Sequence, residues 1–275
     1  MTYLSAVLLG LVQGICEFLP VSSSGHLALL QQIFHIEGAD MVFDVLLHIG
    51  TLLPVLWMFR KDVRYARRGI LGLIGMGHDR GRNTPRSREN RRLGVFVLVA
   101  TVPMLLSLLL RHAAQSAGER PAVVGILLLL NGGVLYLAGR FGRREKPDKA
   151  ISLLDVFLVG LAQIFAVLPG ISRSGVTISV GLMRGFSKSF AVKFSFLLLI
   201  PAVLGAAIVA VYQAATLGFD VGLLPMYLAG MAAAAVSGYF AIRLLRWIAT
   251  RGGIGGFAYY CWGAGIVALL LSLVA

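Results

Sequence analysis

Apolar runs fill most of the chain, and they come in two lengths. Residues 41–59, 93–110, 121–139, 189–212, 223–247 and 254–274 are each near the ~20 residues that a helix needs to cross a bilayer. Residues 2–18, 23–35, 152–168 and 175–184 are shorter and come as two pairs. A turn of Pro, Gly and hydroxylated residues breaks each pair: Pro20-Val21-Ser22-Ser23-Ser24 in the first, Pro169-Gly170-Ile171-Ser172-Arg173-Ser174-Gly175 in the second. The pattern predicts ten helical segments, six spanning and four forming two re-entrant pairs. Residues 60–92, rich in Arg and Gly, are expected to be a mobile loop. A broken helix at membrane depth is tolerated only where it is buried in protein or lines a cavity. The two breaks are therefore where a site is expected.

The second half repeats the first. A shift of 150 residues carries Gly10, Leu11, Gln13, Ser22, Ser24 and Gly25 onto Gly160, Leu161, Gln163, Ser172, Ser174 and Gly175; a shift of 151 carries Phe43, Leu46 and Leu47 onto Phe194, Leu197 and Leu198. The expected fold is one all-α membrane domain over residues 1–275. It holds two repeats, about 1–145 and 151–275, each a re-entrant pair followed by three spans. Three is odd, so the halves must be inverted. Such repeats place their sites at the repeat interface.

Composition agrees with the membrane and charge sets the orientation. The chain of 275 residues is 58% hydrophobic and 13% charged, with a mean hydropathy of +0.85. A net charge of +13 would suit a nucleic acid, but Lys and Arg gather in the cytoplasmic loops of membrane proteins, and no nucleic-acid partner is expected. With 60–92 inside, 22 of the 25 Lys and Arg fall on the cytoplasmic side, Arg111 and Arg120 fall outside, and Arg173 lies in the second break. Counting the short pairs as ordinary spans would put 60–92 and 140–150 on opposite faces. Cys16 and Cys261 lie in apolar segments, where no disulfide is expected. The N-terminal stretch lacks the basic start of a signal peptide. Trp57, Trp247 and Trp262 read as interface anchors or packing; His35, His78 and His112 read as solvated.

The breaks carry the chemistry. Gln13 and Glu17 share a helix face one turn apart. Ser22, Ser23, Ser24 and His26 follow the first break; Ser172, Arg173, Ser174 and Thr177 lie in or after the second. A charge at the bilayer centre costs roughly 2.5–3.5 kcal/mol on insertion scales. Glu17 and Arg173 form either a structural ion pair or the poles of a polar cavity, and the serines, histidine and glycines around them favour the cavity. Arg suits phosphate oxygens, and Gly- and Ser-rich turns opening helices offer N–H groups to an anion. Glu17 would repel phosphate unless it held a divalent cation, Mg²⁺ or Ca²⁺, or acted on a nucleophile. Asp44 and His48 lie within reach of the same pocket but are assigned no role.

The motifs Gln13-x-x-x-Glu17-Phe-Leu-Pro-Val-Ser-Ser-Ser-Gly-His26, Phe43-Asp44-x-x-Leu-His48-x-Gly50-Thr51, Pro169-Gly-Ile-Ser-Arg173-Ser-Gly-x-Thr177 and Phe194-Ser-Phe-Leu-Leu resemble, over essentially the whole chain, the bacterial undecaprenyl-diphosphate phosphatases of the bacitracin-resistance family. That family carries Glu or Gln at the position of Gln13, and this chain has the Gln form, so a single catalytic carboxylate remains. The resemblance implies hydrolysis of undecaprenyl diphosphate to the monophosphate and phosphate, recycling the lipid carrier of cell-wall synthesis. It implies a divalent cation on Glu17, a site facing the external side of the bacterial cytoplasmic membrane, polyprenyl diphosphate and membrane lipids as partners, and a homodimer.

The expected roles follow. Arg173 clamps the diphosphate, Glu17 holds the metal or orients the base, and His26 is the acid–base group. The nucleophile is Ser23 or a water, with His26 itself as the alternative. Gln13, Ser22, Ser24, Gly25, Ser172, Ser174, Gly175 and Thr177 are expected to bind phosphate. The rival from another class is a polyprenyl-phosphate transporter or flippase on the same inverted-repeat fold.

Overall fold

The computed structural model describes residues 1–36, 40–73, 76, 84–142, 145–217, 220–251 and 253–273. Among them there are helices and turns and no strand. The order is α1 (Tyr3–Phe18), α2 (Ser23–Ile33), α3 (Met41–Met58), α4 (Arg60–Leu73), α5 (Pro85–Thr101), a 3₁₀ stretch (Val102–Leu110), α6 (Arg111–Gly118) and α7 (Pro121–Phe141). Then come α8 (Leu153–Ala162), a 3₁₀ turn (Gln163–Val167), α9 (Arg173–Met183), α10 (Lys188–Leu217), α11 (Leu224–Arg251) and α12 (Phe257–Leu271). Six helical stretches are long and apolar enough to cross a membrane: Met41–Met58, Ser87–Gly118, Pro121–Phe141, Lys188–Thr216, Val221–Arg251 and Ile254–Leu271. The chain is a multi-pass, all-α membrane protein.

The two short pairs are built by the same local chemistry. Thr2 caps α1, forming a capping box with Ser5, and Ser152 caps α8, forming one with Asp155. α1, and the 3₁₀ turn that continues α8, each end one residue short of a proline. Leu19 and Leu168 are extended because Pro20 and Pro169 exclude the helical conformation from the residue before them. Ser22 then caps α2 and Ser172 caps α9, each accepting from the glycine amide three residues on.

Where helices meet in lipid, small residues let backbones approach. α1 lies on α11, and a Cβ at Gly10 would overlap the Gly230 carbonyl. α8 lies on α5, and a Cβ at Gly160 would overlap the Ala100 carbonyl. α7 crosses α12 at Gly125 and Gly265, each seated on the other's carbonyl. The first helix of each half thus packs on a span of the other half. Phe18, Phe194, Phe196 and Leu197 fill the centre. Cys16 and Cys261 are buried free thiols. Trp57 and Trp247 are exposed, while Trp262 Nε1 donates to the Leu129 carbonyl at 3.1 Å.

The expectation of a loop over 60–92 is corrected. α4 and the start of α5 occupy most of it and pack together, with Gly69 against the Asn90 carbonyl and Gly94 against the Ile70 amide. Arg is a good helix former, Thr84 caps α5 with Pro85 in its first turn, and Gly69 and Gly94 serve close packing rather than turns. His78 lies outside the described residues; His35 and His112 are exposed.

Candidate active site

The two breaks touch. Ser22 Oγ accepts from the Gly25 amide of its own helix at 3.3 Å and from the Gly170 amide of the other break at 3.0 Å. Asn131 of α7 bridges the seam, its Nδ2 donating to the Pro20 carbonyl at 3.0 Å and its Oδ1 accepting from the Ser172 amide at 3.0 Å. Ser22 has φ +72°, left-handed backbone that a non-glycine residue rarely adopts. The hydrogen bonds on both sides hold it there, and strain of this kind concentrates at functional sites.

Beside this seam lies a cavity of about 280 Å³. Its polar wall is Glu17, Ser23, Ser24, Asp44, His48, Ser172 and Arg173; Val45, Ala166, Val167, Ile171, Leu199 and Val203 are among the apolar residues that complete it. The first residues of both α2 and α9 line it, so the positive ends of two helices meet at one place. That is a setting for an anion.

Glu17 is the centre. Its Oε2 accepts from Ser23 Oγ at 2.7 Å and from Gln13 Nε2 at 3.1 Å, and lies 3.6 Å from His48 Nε2. Its Oε1 accepts from an Arg173 terminal nitrogen at 3.3 Å. The other terminal nitrogen of Arg173 donates to the Ser195 carbonyl at 2.9 Å, while its Nε is buried without a partner. The guanidinium is therefore anchored at one arm, paired at the second and unsatisfied at the third position. Gln13 Oε1 is also buried and unpartnered, but it is the amide nitrogen of Gln13 that meets the carboxylate, and Gln13 does not line the cavity. Among the described residues no three His, Cys, Asp or Glu gather as a metal cage. The Glu17 carboxylate suits Mg²⁺, which takes one or two carboxylates and completes its shell with phosphate and water.

Of the residues expected from sequence, the structure brings Glu17, Ser23, Ser24, Ser172 and Arg173 to the cavity, with Gln13 directly behind Glu17. Ser22, Gly25, Ser174, Gly175 and Thr177 do not line it. The Gly25 and Gly175 amides are used in the helix caps. Ser174 Oγ donates to the Leu19 carbonyl at 3.4 Å; Thr177 Oγ1 donates to the Arg173 carbonyl at 2.8 Å and meets Ser195 Oγ at 2.7 Å. These groups hold the breaks rather than face the cavity.

His26 is also placed elsewhere. Its Nδ1 lies 2.8 Å from the Ser22 carbonyl, its Nε2 lies 2.8 Å from the Tyr260 hydroxyl of α12, and the two rings stack at 5.7 Å. At about 100° per residue, His26 sits roughly 110° round α2 from the Ser23–Ser24 face. The histidine at the cavity is instead His48, with Asp44 one turn before it on the same face of α3. His48 Nδ1 lies 2.8 Å from the Asp44 carbonyl, and Asp44 Oδ1 is buried without a partner. The signal for both was present in the sequence, an acid and a histidine four residues apart inside a spanning segment.

A protein-family model described as Bacitracin resistance protein BacA matches residues 6–267. Proteins named undecaprenyl-diphosphatase are similar over their whole lengths. That of Carboxydothermus hydrogenoformans is 40% identical over 277 residues, covering 99% of this chain and 98% of its own. That of Methanosphaera stadtmanae is 39% identical over 275 residues, with 98% of both chains covered. That of Alkaliphilus metalliredigens is 38% identical over 277 residues and covers 100% of both.

Proposed function

The chain belongs to the bacitracin resistance protein family, and we propose that its cavity is where undecaprenyl diphosphate is hydrolysed to undecaprenyl phosphate and inorganic phosphate. This recycles the lipid carrier of cell-wall synthesis and confers bacitracin resistance. The observation that carries the reading is the double use of Glu17, which accepts the Ser23 hydroxyl at 2.7 Å on one oxygen and the Arg173 guanidinium on the other.

A terminal phosphate entering between the N-termini of α2 and α9 draws Arg173 off Glu17. The buried, unpartnered Nε and the released terminal nitrogen give it two donors for phosphate oxygens. Glu17, no longer paired, takes the proton of Ser23 Oγ as that oxygen attacks the terminal phosphorus. The bridging P–O bond breaks and the lipid monophosphate leaves. The departing lipid monophosphate takes that proton from Glu17. The carboxylate is then free to accept a proton from the water that cleaves the phosphoserine and to return it to Ser23 Oγ as inorganic phosphate leaves. Arg173 stabilises the charge on the equatorial oxygens throughout. Glu17 would hold a divalent cation, Mg²⁺ or Ca²⁺, which would supply neutralising charge to the diphosphate when bound. His26, as placed, fastens α2 to α12, and the proton transfers expected of it pass to Glu17.

We infer further that the halves are inverted, that the basic face of α4 and α5 is cytoplasmic, and that the cavity opens to the external side of a bacterial cytoplasmic membrane. The distribution of Lys and Arg and the reciprocal glycine contacts support this. We propose a homodimer as well, and light scattering of the purified protein tests it.

The test is phosphate release from undecaprenyl diphosphate in proteoliposomes, with and without chelator. Release is expected for the native chain, reduced by chelator, and reduced at least 10³-fold in Ser23→Ala. Movement of intact diphosphate without phosphate release would overturn the reading in favour of a transporter. A phosphorylated residue other than Ser23, trapped by mass spectrometry, would overturn the nucleophile.

A further inference from the structure

A second feature, sharing no residue with the catalytic cavity, lies on the outer surface. A groove of about 770 Å³ runs between α3 and α11. Leu53, Leu56 and Trp57 form one wall and Val236 and Phe240 the other, all of them exposed. Arg60 closes one end. Around that end four guanidiniums lie over aromatic rings: Arg60 over Trp57 at 5.5 Å, Arg243 over Tyr239 at 5.8 Å, Arg246 over Phe59 at 5.7 Å and Arg251 over Trp247 at 5.0 Å.

None of these four has a carboxylate within 4.0 Å among the described residues, and Asp62, the acid next along α4, is taken by Lys193 at 3.3 Å. Arg64, Arg67 and Arg68 extend the charge along the face of α4 that carries Arg60, and all three are exposed. An apolar channel thus ends in a cluster of guanidiniums, of which Arg60, Arg243, Arg246 and Arg251 meet no carboxylate among the described residues. Guanidiniums bind phosphate through paired donors, aromatic rings sit at the headgroup level of a membrane, and each basic residue near an anionic leaflet contributes about 1 kcal/mol.

We propose that this groove binds an anionic glycerophospholipid, one acyl chain lying between α3 and α11 and the phosphate held by Arg60 and Arg243. Several guanidiniums drawn from two helices suit a broad diacyl headgroup better than a single prenyl phosphate. Binding ties the α4 end of the first half to α11 of the second, in the leaflet that holds the Arg-rich segments.

The test uses the full-length protein in detergent. Native mass spectrometry with phosphatidylglycerol or phosphatidylcholine reads lipid retention, and melting temperature reads stabilisation. Native protein is expected to retain phosphatidylglycerol at least tenfold better than phosphatidylcholine and to melt higher with it. In Arg60→Gln/Arg243→Gln the preference falls below threefold while phosphate release in detergent stays unchanged. Leu56→Trp, which fills the groove and keeps the charges, also lowers retention. Undiminished retention in both variants overturns the proposal, as does displacement of phosphatidylglycerol by equimolar undecaprenyl phosphate. Conversion of dimer to monomer by Leu56→Trp, with lipid retention intact, would instead make the groove a contact between copies. Retention does not depend on turnover, so failure of the hydrolase reading leaves this result interpretable.

Discussion

Replacing Arg173 separates the two things the Glu17–Arg173 pair can do. The charged groups approach to 3.3 Å, with side chains 13% and 6% exposed. Two unit charges about 4 Å apart interact by about 4 kcal/mol at an effective dielectric of 20. Arg173→Gln leaves the Glu17 carboxylate buried without its cation, and breaking a buried pair from one side costs about 3–5 kcal/mol. Glu17→Gln/Arg173→Gln removes both charges and leaves amides that Ser23 and the Ser195 carbonyl can satisfy, so most of that loss returns. Activity behaves differently. An arginine serving phosphoryl transfer contributes about 10³–10⁵ in rate, roughly 4–7 kcal/mol of barrier, and a glutamine pair supplies neither the cation nor the base. The assays are thermal unfolding in detergent and phosphate release from undecaprenyl diphosphate on the same preparations. Stability should fall in Arg173→Gln and recover in the double variant, while turnover stays at least 10³-fold down in both. Turnover that recovers together with stability would refute the catalytic role and leave a structural ion pair.

Other outcomes follow from particular contacts. His26→Gln should keep at least a tenth of native turnover, because the ring faces Tyr260 rather than the cavity; a loss beyond 10³-fold would return His26 to the chemistry. His48→Gln should lower turnover more than His26→Gln does, read in the same phosphate-release assay. Gly160→Val puts side-chain atoms where the Ala100 carbonyl lies, and overpacking of about 1–3 kcal/mol should appear as a lower melting temperature and yield, with Gly133→Val, where a Cβ meets nothing within 4 Å, as the control. Asp155→Ala removes the acceptor of the Ser152 amide and hydroxyl and of Arg184 Nε. Bonds to a charged acceptor contribute about 1.5–3 kcal/mol each, so a fall in melting temperature with little change in the pH profile of the remaining activity is expected.

How much of this was legible in the sequence differs by feature. Both broken pairs were, because at Pro20 and Pro169 a proline is followed by small and hydroxylated residues, and Ser22 and Ser172 restart a helix there. Pro54 and Pro201, set in unbroken apolar runs, stay inside α3 and α10. The meeting of Glu17 and Arg173 was also readable, since an isolated charge at membrane depth is too costly to leave unpaired. Rotation about a helix axis was not. In lipid the outward face is as apolar as the core, so α2 and α3 carry no stripe that says which side turns inward. That hid the turn of His26 toward Tyr260 and of His48 toward Glu17. α4 was missed for a different reason: Gly69 and Gly72 read as loop punctuation, and only the partner backbone at Asn90 shows Gly69 to be a packing surface.

The seam between the breaks has a consequence beyond positioning the reactants. A Cβ at Gly25 would lie 2.9 Å from the Gly170 nitrogen, so main chain rests on main chain, and Asn131 and Ser22 stitch the join. With the cavity opening to one side of the membrane, as proposed, these backbone contacts and the fully buried Phe18 would also serve as the seal against ions. A side chain at position 25 is expected to raise proton leakage into proteoliposomes as well as to lower turnover.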